Sequence, residues 1–321
     1  MKPRRHLVAL SVDLDELECY RAIHGLPGDG TDAPIYDRAV PRFAELFARE
    51  GVRGTFFAVG LDARRPERAA RLRELAAAKH EISNHSLSHF YDLVRRPPSV
   101  VVAEVSGGRA AIQDAVGQPA VGFRAPGYTL SAELVEVLAD LELAYDSSVL
   151  PSPAYFAARS AAILLKALRG RRSRSLFGGF EMSLASRRPY ILGWPPFVRR
   201  GERVGDRGGG LRELPIATLP WARIPLIGTT LVLAGPENAV RLCRLLANDF
   251  FVNLELHGID LCAPDDPGMA SLAGHQPDAS VSLVRKLASI SAVIRHFRDA
   301  GAEFVPLAEA VDLVFQKPLK G

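Results

Sequence analysis

The sequence has few cysteines. The three present, Cys19, Cys243 and Cys262, are widely spaced and include no CxxC pair. Their number and spacing argue against a disulfide framework and against a thiolate metal site, and they favour a reducing compartment. Runs of about 18 apolar residues are also missing, so we expect no transmembrane helix. The apolar run at 7–12 is too short for the core of a signal peptide, and we interpret it as the first strand of a cytoplasmic protein.

Nucleic-acid motifs and stacked aromatic-basic patterns are absent as well, although the net charge is +4 and the pI is about 9.1. We therefore expect no nucleic-acid partner. The balance of 48% hydrophobic and 24% charged residues is typical of a folded globular protein rather than a disordered one. A chain of 321 residues is long enough for a large α/β domain, and we predict one domain over residues 1–321.

Short apolar runs alternate with segments of helical period along most of the chain, which is the pattern of repeated β–α units around a parallel sheet. We predict strands at 7–12, 55–59, 81–83, 121–123, 144–145, 211–215, 252–256 and 303–305. We predict helices at 37–50, 66–78, 100–116, 131–141, 236–248, 283–300 and 307–315. Most polar residues of interest directly follow a predicted strand, where reactive groups collect in parallel α/β proteins.

Residues 151–210 interrupt this alternation and predict an insertion that forms an arm, a lid or a small subdomain. Within it, 155–174 is an apolar helical stretch that ends in four arginines: Arg169, Arg171, Arg172 and Arg174. This combination suits the interface of an anionic membrane. The alternative is a helix packed on the sheet and followed by a solvated basic loop. Residues 224–233 predict a further core strand, with the wall of an acyl-chain groove as the alternative.

Two histidines, His85 and His89, follow the predicted strand 81–83 with a spacing of four. On a helical turn this spacing places both imidazoles on one face, although surface helices also carry such pairs by chance. A metal site needs a third ligand. Asp15, just after the first strand, completes a set of two histidines and one carboxylate that leaves positions open for water and substrate. The alternative is that Asp13 and Asp15 cap the segment that follows.

Arg124 follows the fourth predicted strand. Its guanidinium is permanently charged and can hold a carboxylate such as Asp13 ionised, while the turn at Pro126 and Gly127 exposes backbone N–H groups. A plain turn with a surface arginine is the alternative interpretation.

Asp146 and His257 also follow strands. An aspartate that holds one nitrogen of a histidine keeps the imidazole protonated as a general acid, so the two residues form a plausible pair. Each is equally compatible with an ordinary position at the rim of the sheet.

Taken in chain order, these motifs resemble the polysaccharide deacetylase family, carbohydrate esterase family 4, over roughly 7–148 and 251–310. The resemblance implies a distorted seven-stranded (β/α) barrel, here with an inserted arm or lid, and metal-dependent removal of an N-acyl group from an amino sugar. The resemblance implies that Asp13 is the general base, that Arg124 tunes this base, and that Asp15, His85 and His89 are the metal ligands. It implies that His257 is the general acid and that Asp146 orients it. In the turn with Pro126 and Gly127, Tyr128 would donate its backbone N–H to the oxyanion.

Leu14 separates Asp13 from Asp15, whereas polysaccharide-active members usually carry adjacent aspartates. This D-x-D form resembles the branch that contains intracellular peptidoglycan-deacetylase-like enzymes and lipid-linked aminoarabinose deformylases. On an extended strand the spacing points both aspartates to the same side. We expect one divalent ion, zinc first, and an acetyl or formyl group on an amino sugar linked to lipid or phosphate.

The apolar stretch 155–174 with its four arginines leads us to expect peripheral contact with the inner face of an anionic membrane. Two alternatives stay open. One is an amidohydrolase of the same fold that acts on a non-sugar amide or a cyclic ureide. The other is a catalytically silent binding protein.

Overall fold

The computed structural model describes residues 5–28, 32–168, 180–195 and 210–315. The strands are β1 Leu7–Asp13, β2 Thr55–Ala58, β3 Glu81–Asn84, β4 Gly122–Phe123, β5 Tyr145–Asp146, β6 Tyr190–Ile191, β7 Arg212–Glu213, β8 Phe251–His257 and β9 Glu303–Phe304. The helices are α1 Leu17–His24, α2 Val40–Glu50, α3 Gly60–Ala63, α4 Pro66–Ala77, α5 Pro98–Val116, α6 Ala132–Asp140, α7 Pro153–Leu168, α8 Phe180–Ser183, α9 Gly228–Ala234, α10 Pro236–Arg244, α11 Leu283–Asp299 and α12 Leu307–Phe315.

The strands form one curled sheet in the order β6-β7-β5-β4-β3-β2-β1-β8, and β9 pairs with the start of β1. All of the pairings are parallel except that of β6 with β7. Beyond β7, the N–H of Ala217 donates to the carbonyl of Asn253 in β8 at 2.8 Å. This bond brings the far side of the curled sheet back to β8, so the predicted α/β fold with a distorted, barrel-like sheet is confirmed. The described residues form nine strands rather than the seven expected.

β1 lies between β2 and β8 in the sheet, and all seven of its residues are buried. A central parallel strand is covered on both faces, which explains why its sequence is nearly continuously apolar. α2 packs on this sheet through Phe43, Leu46 and Phe47, whose spacing of three and four residues places them on one face. Gly51, at φ +63°, ends the helix in the left-handed region that glycine tolerates.

The prediction of a core strand at 224–233 is wrong, while every other predicted strand and helix has a counterpart in the structure. This stretch contains α9, which buries Leu231 and Val232. Local β-propensity is weak compared with tertiary packing, and here the packing of α9 against α10, α11 and β8 decides the conformation.

The described part of the segment 151–210 packs onto the barrel. Phe156 of α7, Met182 of α8 and Tyr190 of β6 share one hydrophobic cluster with Phe123 of β4. The arginines at 169, 171, 172 and 174 lie outside the described residues. Across the described ranges, no helix combines the length and the hydropathy that a membrane span requires.

Candidate metal and catalytic site

The carboxyl ends of neighbouring strands bring the sequence-predicted residues to one edge of the barrel. Asp13, the last residue of β1, stands beside Phe57 of β2 and beside His257 of β8. β3 ends at Asn84 and leads directly into His85. In parallel α/β proteins this edge is where ligands bind, because loops there can converge on one point.

The segment with His85 and His89 is a loop, so the prediction of a helical turn is wrong. Ser86 and His89 have φ of +64° and +55°, values that lie in the left-handed region and that residues other than glycine seldom adopt. The N–H of His89 donates to the hydroxyl of Ser86 at 3.0 Å and fixes this bend. The two imidazole rings still meet, with centroids 4.8 Å apart.

Close contacts with neighbouring elements hold the loop that carries His85 and His89. The backbone N–H of Gly60 donates to the carbonyl of Ser86 at 2.9 Å. The side-chain amide of Asn84 donates to the carbonyl of Val105 at 2.9 Å. A Cβ on Gly108 of α5 would lie only 2.3 Å from the Oδ1 atom of Asn84. The absence of a side chain at this position lets α5 support the loop directly.

Asp15, His85 and His89 converge on one point. Oδ1 of Asp15 lies 3.1 Å from Nε2 of His85 and 3.1 Å from Nε2 of His89. All three residues are buried, and Asp15 Oδ1 and His89 Nε2 lack an aligned hydrogen-bond partner within the described ranges. Tetrahedral zinc ligands at about 2.0–2.2 Å from the ion lie about 3.3 Å from one another. The three donors therefore fit a shared divalent cation.

The surroundings of the three donors support the same interpretation. His85 Nδ1 lies 2.8 Å from the carbonyl oxygen of Arg124, an acceptor that keeps the proton on Nδ1 and leaves the Nε2 lone pair for a ligand. Burial by itself raises the pKa of the Asp15 carboxyl, but the imidazoles of His89 and His85 hold it well below its usual range. Asp15 is therefore ionised, as a carboxylate metal ligand must be.

Arg124 has no exposed surface and holds Asp13 in place. Its Nη1 donates to Oδ1 of Asp13 at 2.6 Å, and its Nη2 donates to the hydroxyls of Ser11 and Ser147. The guanidinium also lies over the Phe57 ring, with 4.2 Å between its central carbon and the ring centroid. A group that donates to several oxygens at once and also lies over an aromatic ring has to be arginine rather than lysine.

The other oxygen of Asp13 faces the metal ligands. Oδ2 lies 3.9 Å from Nε2 of His85. Burial raises the pKa of Asp13 above its usual value, while the charge of Arg124 acts in the opposite direction. One carboxylate oxygen is thus fixed by the guanidinium, and the second is directed to the side where a metal-bound water would lie.

Glu255, which the sequence analysis did not single out, takes the place predicted for Asp146. Oε1 of Glu255 lies 2.8 Å from Nδ1 of His257 and accepts a hydrogen bond from the Tyr128 hydroxyl at 3.0 Å. Burial by itself lowers the pKa of His257, but the Glu255 carboxylate raises it well above its usual value. The predicted pairing of Asp146 with His257 is therefore wrong. The alternation of β8 was the available signal, because Glu255 and His257 point to the same side of the strand.

Asp146 lies against a second carboxyl group instead. It stands beside Glu213 in the strand register, and its side chain accepts hydrogen bonds from the hydroxyl and the N–H of Ser148. The Ser148 hydroxyl in turn accepts from the N–H of Ala125 at 2.8 Å. Burial and the neighbouring Asp146 raise the pKa of Glu213 well above its usual value, so Glu213 keeps its proton to a higher pH than an exposed carboxyl group does. Asp146 thereby supports the turn that follows Ala125.

The turn Pro126–Tyr128 differs from its predicted role in one respect. The N–H of Tyr128 donates to the carbonyl of Ala125 at 3.1 Å, so in this conformation it is already used and cannot serve an oxyanion. Gly127, at φ +66°, offers its carbonyl to Nη1 of Arg159 from α7 at 2.7 Å. Pro126 accepts a hydrogen bond from the Thr129 hydroxyl. Tyr128 contributes its side chain instead: its hydroxyl oxygen lies 3.3 Å from Nε2 of His257.

Known proteins match this chain in family and in fold. Residues 29–145 match the family model described as polysaccharide deacetylase. No curated protein matches the sequence at a significant level. A crystal structure described as a polysaccharide deacetylase from Mycobacterium smegmatis is 18% identical with a TM-score of 0.57, and the alignment covers 99% of this chain and 96% of that one. A CE4 family pseudoenzyme from Bacillus anthracis is 10% identical with a TM-score of 0.52, and it covers 97% of this chain and 67% of that one.

The two structural likenesses establish the fold, and the family model spans the loop with His85 and His89 as well as Arg124. Asp13, Asp15 and His257 lie outside the matched residues, and the fold joins them to the same edge. Residues 29–145 therefore match the polysaccharide deacetylase family model, and the chain has the fold of the two structures described above.

Proposed function

We propose that the protein is a metal-dependent hydrolase that removes an acetyl or formyl group from the nitrogen of an amino sugar. The observation that carries the proposal is the side-by-side placement of two sets of residues. Asp15, His85 and His89 converge on one point, and Asp13 and His257 flank it on adjacent strands. Because a CE4 family pseudoenzyme is among the structures of the same fold, the proposal rests on these residues rather than on the fold.

A divalent cation held by Asp15, His85 and His89, with zinc the first choice, would supply Lewis-acid polarisation of the acyl carbonyl and of a water molecule. The buried, oxygen- and nitrogen-rich donor set supports this role. The chain's own residues carry the proton transfers on either side of the cation.

Asp13 accepts the proton of the attacking water at Oδ2, since Oδ1 is engaged by Arg124. The water oxygen forms the new bond to the acyl carbon, and the amide C–N bond breaks. His257 protonates the departing nitrogen at Nε2, because Nδ1 is held by Glu255. The products are a carboxylic acid, acetic or formic, and the free amine of the sugar. Glu255 and Tyr128 are positioning residues, because they act through His257.

The D-x-D spacing and the basic segment after α7 support an amino sugar linked to lipid or phosphate. They also support a cytoplasmic protein in peripheral contact with an anionic membrane. The three cysteines are free, and Cys243 and Cys262 are buried, which agrees with a reducing compartment. We further propose that the chain is one catalytic unit in which 151–210 is an insertion.

The test is the Asp13→Asn variant. Turnover of an N-acetylated or N-formylated amino sugar should fall by about 10²–10⁴-fold, which is the usual contribution of a general base, while the metal content stays that of the wild type. Retained turnover would remove Asp13 as the base. Wild type should be screened against lipid-linked and nucleotide-linked amino sugars and against cyclic ureides. Turnover of ureides alone would favour the non-sugar amidohydrolase, and no turnover of any substrate by the metal-loaded protein would favour a silent binding protein.

A further inference from the structure

α7 contacts the active-site turn with its inner face. Nη1 of Arg159 donates to the carbonyl of Gly127 at 2.7 Å, and the ring of Tyr155 meets the ring of Tyr128 edge-on with centroids 5.6 Å apart. Phe156 and Ile163 on the same side of the helix are buried. The inner face therefore fixes α7 beside the turn that carries Tyr128.

The outer face of α7 is apolar and exposed. Leu164, Leu165 and Leu168 are 55%, 48% and 77% exposed. Leu168 follows Leu165 by three residues and Leu164 by four, and these spacings place both leucines beside it on one side of the helix. The alanines on the same side are exposed too, namely Ala157, Ala158 and Ala161. A contiguous apolar surface on a folded protein usually marks an interaction site. We call this surface the leucine face.

The sequence of α7 and of the segment that follows it is strongly basic. The sequence has no acidic residue between Asp146 and Glu181. The basic residues in that stretch are Arg159, Lys166, Arg169, Arg171, Arg172 and Arg174. The last four directly follow α7 in the sequence. An exposed apolar helix next to dense positive charge is the combination that binds the interface of an anionic bilayer.

We infer that the leucine face docks on an anionic lipid bilayer, and that the same helix thereby sets the active site at the membrane surface. Charge favours this occupant over a second copy of the chain, because the second copy would bring the same positive segment to the contact. The inference deepens the proposed function, since the Tyr128 turn touched by α7 would then meet a lipid-linked amino sugar at the surface. Docking itself does not depend on hydrolysis.

The experiment is sedimentation of the full-length protein with vesicles of phosphatidylcholine alone and of phosphatidylcholine mixed with phosphatidylglycerol. We expect binding to the anionic vesicles only. The double variant Leu164→Glu/Leu168→Glu should bind them at least about tenfold more weakly, because it places two charges where two leucines would be buried. Replacing Arg171, Arg172 and Arg174 with alanine should weaken binding and reduce its dependence on salt.

Val284→Glu is the matched control. Val284 lies on α11 and is 78% exposed, close to the 77% of Leu168, so its variant adds the same charge at an equally exposed position away from the leucine face. This variant should bind like the wild type. Equal binding by the Leu164→Glu/Leu168→Glu variant and the wild type, or equal binding of neutral and anionic vesicles, would overturn the inference.

The failure of docking and the failure of the proposed function give different results. The leucine variant should retain wild-type turnover of a water-soluble N-acetylated amino sugar, while losing turnover of the same sugar presented on vesicles. Vesicle binding can also be measured with Asp13→Asn, which is expected to be inactive. Absence of hydrolysis with intact, leucine-dependent docking would sink only the proposed function, and hydrolysis without docking would sink only this inference.

Discussion

The Glu255→Gln variant tests most sharply whether Glu255 keeps His257 protonated as the general acid. The structure places Oε1 of Glu255 2.8 Å from Nδ1 of His257, and both residues lie in the buried end of β8. A hydrogen bond between two charged groups is worth about 1.5–3 kcal/mol. Loss of the carboxylate charge should therefore lower the pKa of His257, because the protonated imidazole loses up to this much stabilisation.

The sign of the effect on activity follows from the role of His257. The acid must be protonated, so kcat/KM falls as the pH rises through the pKa of His257. Glu255 raises that pKa, and the variant should therefore lose activity at a lower pH than the wild type. Glutamine keeps the shape of the side chain and an acceptor for the Tyr128 hydroxyl, which limits structural disturbance.

The assay is the pH profile of kcat/KM on an N-acylated amino sugar, and the matched control is Asp146→Asn. Because Asp146 faces Glu213 and Ser148, its variant should leave the alkaline limb of the profile in place. The reasoning is refuted if Asp146→Asn shifts that limb and Glu255→Gln does not. Such a result would restore Asp146 as the partner of the acid.

Two further variants test the support of the site. The Tm of Glu213→Gln should rise relative to that of the wild type as the pH rises above 4.5. The raised pKa of Glu213 gives the wild type stability that is fully present below pH 4.5 and is lost as the pH rises through the raised pKa. A constant Tm difference from pH 4 to 9 would contradict this. Gly108→Ala should lower the free energy of unfolding by about 1–3 kcal/mol, because its Cβ would press on Asn84 and on the Ser86 backbone. The control Gly107→Ala should lose less stability, because its Cβ would meet only the flexible Leu87 side chain. Equal losses of stability in urea denaturation would argue against the backbone contact.

Regular features of the fold follow from the sequence because they depend on local pattern. The apolar run of β1 and the helical period of α2 predict their elements within three residues, and Gly51 marks the end of a helix. The stretch 224–233 shows the limit. Its β-branched residues favour a strand, but the packing of α9 on α10 and α11 outweighs a propensity of about 1 kcal/mol in total span.

The residues of the site were visible as motifs, but their partners were not. Asp13, Asp15, His85, His89, Arg124 and His257 meet because parallel strands end at one edge, and this can be expected from strand positions alone. Which carboxylate faces His257 depends on side-chain direction within β8 and on the register of Asp146 with Glu213. The use of the Tyr128 N–H by Ala125 depends on a local turn geometry that residue types do not specify.

The convergence of Asp15, His85 and His89 on one cation is tested most directly by the metal content of the purified protein, measured by mass spectrometry before and after competition with a chelator. The wild type and Asp13→Asn should each hold one divalent ion per chain. Asp15→Ala should bind it at least about 100-fold more weakly, because one of three protein ligands is gone. A wild type that takes up no ion, or an Asp15→Ala variant that binds the ion as tightly as the wild type, would contradict the account.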